Sequence, residues 1–166
     1  MTDYNSDGRG TGSACGADAL HGGHRVLVVD DNRSIREPLV TLLEGRGFSA
    51  RGAGNGREAL QALRDGFDAC LILLDLTMPI MDGWAFRTAQ RGESKLAEIP
   101  IVVLTALTDP QTTAEQLGAV AGLAKPLDVD HLLRLVAEHC PRTVSRSRAA
   151  SGAAERAAQI LHPKRA

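Results

Sequence analysis

The chain has 166 residues, 43% of them hydrophobic and 23% charged, an ordinary composition for a globular domain that can bury a core without covalent or metal staples. No apolar run approaches the ~20 residues that a membrane-spanning helix needs, and Cys15, Cys70 and Cys140 form no CxxC pair, so a disulfide framework or zinc knuckle is not implied and the thiols read as free. Formal net charge is −1, but residues 142–166 hold six cations against Glu155 alone, which leaves the rest of the chain at −6 and argues against a nucleic-acid-binding body.

Residues 1–23 are Gly-rich and polar, with too little apolar content to offset ordering entropy, and are expected to be a disordered extension. They hold no signal-type apolar segment, which points to a cytoplasmic protein with no membrane partner. The run Val26–Val29 reads as a strand ending at Asp30 and Asp31. Asn32 then caps a helix with Ile35, Leu39, Leu42 and Leu43 on one stripe, stopped by Gly45 and Gly47, with Pro38 expected to kink it. Phe48 to Ala53 is a weak strand, followed by an Asn55-capped helix carrying Ala59, Leu60 and Leu63 inward. Ala69 to Leu74 is continuously apolar, as a strand covered on both faces should be, and it stops at Asp75. A helix from about Asp82 or Gly83 to Arg91 carries Trp84 and Phe86 in its first turns, with Trp84 read as a packing residue.

Ile99 to Leu104 gives the next buried strand, stopping at Thr105. Asp109 and Pro110 form an N-cap and first-position pair for a short helix to about Leu117. Val120 to Ala124 is the last strand, stopping at Lys125, and Asp128 starts a final helix with Val129, Leu132, Leu133 and Val136 inward. Five strand-helix units with short connections, and strands wanting cover on both faces, predict an α/β fold with a doubly wound parallel sheet. That domain is expected over residues 24–141. Residues 142–166 form a basic Ala/Arg/Ser-rich tail, with a helix-compatible stretch at about 153–161 that is long enough to dock but not to fold alone.

Polar residues stand where the apolar strands stop: Asp30 with Asp31, Asp75, Thr105 and Lys125. In an open parallel sheet the carboxyl ends of the strands line one edge, where ligands bind. Three carboxylates in one crevice repel unless a cation neutralises them, and Mg2+ suits a few carboxylate oxygens that leave room for water and a phosphate. A lysine ammonium and a threonine hydroxyl on the same edge suit phosphoryl oxygens. No Gly-rich loop precedes a helix in the way a bound nucleotide requires. The phosphate is then one carried by the protein, with a carboxylate as the nucleophile. The five histidines show no paired metal spacing.

The segments RVLVVDDN at 25–32, LLDLTMPIMDG at 73–83, VVLTA at 102–106 and AKP at 124–126 together resemble a two-component response regulator receiver domain. The resemblance implies a flavodoxin-like sheet of order 2-1-3-4-5 with helices on both faces. It makes Asp75 the phosphoacceptor, served by a sensor histidine kinase or a histidine phosphotransfer protein. It implies that Asp31, Asp75 and the carbonyl of Thr77 bind Mg2+, Asp30 acting through water. Lys125 would meet the phosphoryl oxygens and Thr105 would swing toward them. Ala106 would leave Asp75 accessible, Thr77 and Leu107 would tune water access, and the Lys125–Pro126 bond would be cis. The protein would be no enzyme beyond its own Mg2+-dependent phosphorylation and dephosphorylation.

Two departures from the family pattern stand out. Gly122 occupies the place, three residues before the lysine, where Tyr or Phe is usual, and the stretch from Thr105 to Lys125 is short, so the helix within it is expected to be trimmed. The leading expectation is a stand-alone receiver that signals through altered contacts with a downstream protein not named by the sequence, either as terminal switch or as relay. Gly122 motivates an alternative, a degenerate receiver that binds proteins independently of phosphate. A phosphohydrolase with an aspartyl nucleophile would want a second carboxylate two residues after it, and position 77 is threonine.

Overall fold

The computed structural model describes residues 24–140, so the expectations for the Gly-rich extension, the basic tail and Cys15 lie outside the described residues. Eleven elements follow one another: β1 (Arg25–Val29), α1 (Arg33–Gly45), β2 (Ser49–Ala53), α2 (Gly56–Arg64), β3 (Leu71–Asp75), α3 (Gly83–Arg91), α4 (Ser94–Ala97), β4 (Ile101–Thr105), α5 (Pro110–Leu117), β5 (Ala121–Ala124) and α6 (Val129–His139). All strand pairs are parallel, and the sheet order is β2-β1-β3-β4-β5. The doubly wound sheet and its order are therefore as expected.

Side-chain alternation divides the core. Leu27, Val29, Ile72, Leu74, Ile101 and Val103 point to one face and pack under α2, α3 and α5 through Leu60, Leu63, Phe86 and Leu117. Val26, Val28, Leu71, Leu73, Val102 and Leu104 point to the other, against Leu39 and Leu43 of α1 and Leu132 and Val136 of α6. Every residue of β3 and β4 is buried, which is why those strands read as unbroken apolar runs. The caps are local chemistry. Asn32, Asn55, Asp82, Asp109 and Asp128 each accept a backbone N–H from the first turn of the helix that follows, satisfying donors that have no partner within the helix.

α1 runs from Arg33 to Gly45 with Pro38 inside it, as the apolar stripe predicts. Three local outcomes differ from the sequence reading. The one-turn α4 was not foreseen. Trp84 is 41% exposed whereas Phe86 is fully buried, because two residues on a helix lie about 200° apart and the core takes only one of the pair. Cys70 and Cys140 are disulfide-bonded, not free, with Cα atoms 5.5 Å apart across 70 residues of sequence. The end of α6 lies against the start of β3, a proximity that only the tertiary fold creates.

Candidate functional site

The parallel register brings the strand ends to a common edge. Val29 pairs with Leu74, Asp75 with Leu104, and Thr105 with Ala124, so the residues just beyond β1, at the end of β3 and just beyond β5 converge. Carboxylate oxygens of Asp30, Asp31 and Asp75 lie within 4.8 Å of one another. Lys125 Nζ donates to Asp30 Oδ2 at 2.7 Å and stands 3.2 Å from Asp75 Oδ1. Its backbone N–H is fixed to the Thr105 carbonyl at 2.7 Å, and the Lys125–Pro126 bond is cis.

Each group has a distinct setting. Asp30 is fully buried, and its second carboxylate oxygen accepts the Asn32 N–H at 2.8 Å. Asp31 is exposed. Burial pushes the Asp75 carboxyl above its usual range; Lys125 pulls it back, the Asp30 charge adds to the rise and the Thr77 N–H opposes it, leaving a net rise. Burial alone would lower Lys125, but its contacts with Asp30 and Asp75 outweigh that and raise it. The edge therefore holds more negative charge than one lysine offsets, a donor set of hard oxygens that fits a small divalent cation.

Thr105 is buried, and its hydroxyl accepts the Leu107 N–H at 3.1 Å. Thr77 and Leu107 are exposed at the rim. An apolar groove of about 270 Å³ adjoins the edge between Ile35, Pro38 and Leu39 of α1 and the segment Lys125–Leu127.

Several features of this region escaped the sequence. Arg36 Nη1 donates to the Asp30 carbonyl at 2.6 Å. Ile80 has φ 70° at the centre of a three-residue turn closed by Met81 N–H and the Pro79 carbonyl, an unfavourable setting for a β-branched residue. Gly122 has a physical reason: a Cβ there would stand 2.0 Å from the Pro110 carbonyl oxygen, so the first turn of α5 rests on the bare backbone of β5. No motif announces these, since each depends on what another element brings alongside.

Residues 26–137 match the response regulator receiver domain. The chain belongs to that family. The receiver is 37% identical over 113 residues to the transcriptional regulatory protein GltR of Pseudomonas aeruginosa, an alignment covering 67% of this chain and 46% of that protein. The chain spans about a quarter to a little over half the length of the curated relatives it matches. Among solved structures it resembles the response regulator TrrA of Thermotoga maritima in complex with Mg2+ and BeF, at 32% identity and a TM-score of 0.60, covering 69% of this chain and 96% of that one. It also resembles a Saccharomyces cerevisiae co-crystal of the histidine phosphotransfer protein Ypd1 with the receiver of its downstream response regulator Ssk1, at 26% identity and a TM-score of 0.62, covering 70% of this chain and 88% of that one. Receivers are signalling modules phosphorylated on aspartate by a kinase or phosphotransfer protein. No helix among the described residues is long and apolar enough to cross a membrane.

Proposed function

We propose that Asp75 is the phosphoacceptor of this receiver and that the domain signals by changing its protein contacts. The observation carrying this reading is the meeting of three carboxylates within 4.8 Å of one another with Lys125 between Asp30 and Asp75. An Asp75 oxygen attacks phosphorus as the P–N bond to a partner's phosphohistidine breaks, and the electron pair leaves with the imidazole. Asp31, Asp75 and the Thr77 carbonyl would hold Mg2+, which when bound supplies positive charge opposite the phosphoryl oxygens. Both Asp30 oxygens already have partners, Lys125 and the Asn32 N–H, which suits an indirect role through water.

Lys125 exchanges part of its contact with Asp75 for the phosphoryl group. The Thr105 hydroxyl turns from the Leu107 N–H to donate to a phosphoryl oxygen, freeing the loop that begins there. The groove between α1 and Pro126, open beside the acceptor, is where the phosphodonor protein would dock; a receiver and a histidine phosphotransfer protein form such a pair in the yeast co-crystal. The test is incubation with acetyl phosphate, with and without Mg2+, followed by intact mass. Wild type gains one phosphoryl group only with Mg2+, and Asp75→Asn gains none. A wild type that stays unmodified with a competent donor would give precedence to the phosphate-independent binding module that Gly122 suggests.

A further inference from the structure

We propose that Arg36 is a positioning residue for the cation-binding edge, an inference that rests on the reading of that edge given above. Arg36 lies one turn into α1 and reaches back over the junction between β1 and α1. Its Nη1 donates to the Asp30 carbonyl at 2.6 Å and approaches the Asp31 carbonyl at 3.4 Å. The first is a strong charge-assisted hydrogen bond and the second is marginal. These two carbonyls belong to the residues that supply two of the three clustered carboxylates.

The path of the side chain is prepared on β2. A Cβ at Gly52 would stand 3.1 Å from Arg36 Cδ and 3.2 Å from Cγ, tighter than ordinary contact, so the glycine leaves room for the stem. The wall beyond it is fixed as well: Glu58 accepts the Gly54 N–H at 2.7 Å and the Asn55 side-chain amide at 2.9 Å. The guanidinium thus holds the Asp30–Asp31 turn while its stem lies over Gly52 beside a loop that is itself held, and the turn is tied to that loop by the Asp30 N–H bonded to the Ala53 carbonyl at 3.1 Å.

The chemistry separates Arg36 from Lys125. Lys125 bonds carboxylate oxygens and so shares them with any arriving cation. Arg36 bonds main-chain oxygens and leaves the carboxylates free, fixing where they stand without competing for them. Groups that orient metal ligands in this way typically contribute 10- to 100-fold to affinity.

Electrostatics gives the opposite sign, and that makes the test decisive. Removing a positive charge beside a cation site should tighten Mg2+ binding if charge were all that mattered; if positioning governs, binding weakens. Arg36→Met keeps the stem over Gly52 and removes the donor, whereas Arg36→Lys keeps a donor. Mg2+ titration calorimetry on the full chain is expected to show about tenfold or greater weakening for Arg36→Met and recovery of most of it in Arg36→Lys. Arg33→Met, which removes an exposed α1 arginine paired with Glu37, should bind as wild type does. Unchanged or tighter binding by Arg36→Met, or Arg36→Lys as weak as Arg36→Met, overturns the proposal alone. A wild type that takes up no Mg2+ overturns the proposed function together with it.

Discussion

Gly122→Ala isolates the contact between α5 and β5. The added methyl would begin 2.0 Å from the Pro110 carbonyl oxygen and 2.6 Å from its carbonyl carbon, both of them backbone atoms that cannot rotate aside. To reach the 3.4 Å at which ordinary contact begins, the first turn of α5 or the end of β5 must retreat by about 1.4 Å. That movement is resisted at the far end of α5, where Arg87 of α3 donates to the carbonyls of Leu117 and Gly118 at 3.2 and 2.8 Å. Overpacking of this kind costs about 1–3 kcal/mol. Gly45→Ala is the control: a Cβ there meets nothing within 4 Å, and at the end of α1 the reduced freedom of the unfolded chain should add about 0.4–1 kcal/mol.

Urea unfolding with unchanged slope is the measurement, and opposite signs for the two variants are the expected result. A Gly122→Ala protein within about 0.5 kcal/mol of wild type would refute the claim that α5 is seated on β5. The same seat bears on signalling. With α5 held at both ends and no aromatic at 122, phosphorylation should alter amide exchange mainly in the loop after Thr105. Strong new protection along α5 would contradict this.

Three further outcomes follow from the charged edge and the disulfide. Lys125→Met strips the partner from a fully buried Asp30 and should cost about 3–5 kcal/mol in EDTA, partly restored by Mg2+; a loss under about 1 kcal/mol in urea unfolding speaks against the buried pair. Because Asp75 is raised in the fold, its favourable contribution is complete below the unfolded value of about 3.9 and is lost as pH rises through the folded value. Asp75→Asn should therefore melt a few degrees higher than wild type at pH 7 without Mg2+, the gain shrinking as pH falls, and a lower melting temperature at pH 7 counts against that sign. Reduction of Cys70–Cys140 should lower stability by about 2–4 kcal/mol, and Cys140→Ser should match reduced wild type and ignore reductant; a wild type indifferent to reductant contradicts the bridge.

What was legible in the sequence was whatever one strand or helix settles within itself. The apolar runs of β3 and β4 announce burial on both faces, and Asn32, Asn55, Asp109 and Asp128 announce helix starts because each satisfies donors within its own first turn. Asp30, Asp31, Asp75 and Lys125 could be placed together because parallel strands all end at one edge, so a polar residue after each apolar run falls there without further packing detail. Strand limits fell within about two residues for the same reason: the pattern marks where burial stops, not where pairing begins.

What was illegible depends on the distance between elements. Trp84 and Phe86 are equally apolar by sequence, and only the angle at which α3 meets the sheet decides that Phe86 goes inside. The disulfide needs α6 to end over the start of β3. Gly122 could be seen as a missing aromatic but not as a seat, since the atom that forbids a side chain belongs to Pro110. Arg36 looks like any exposed helix arginine until β2 supplies Gly52 beneath its stem and the Asp30 carbonyl stands before its tip. The acidic edge follows from where parallel strands end, whereas the contacts that hold it, Arg36 on the Asp30 carbonyl and the first turn of α5 on the bare backbone of Gly122, depend on what neighbouring elements bring alongside.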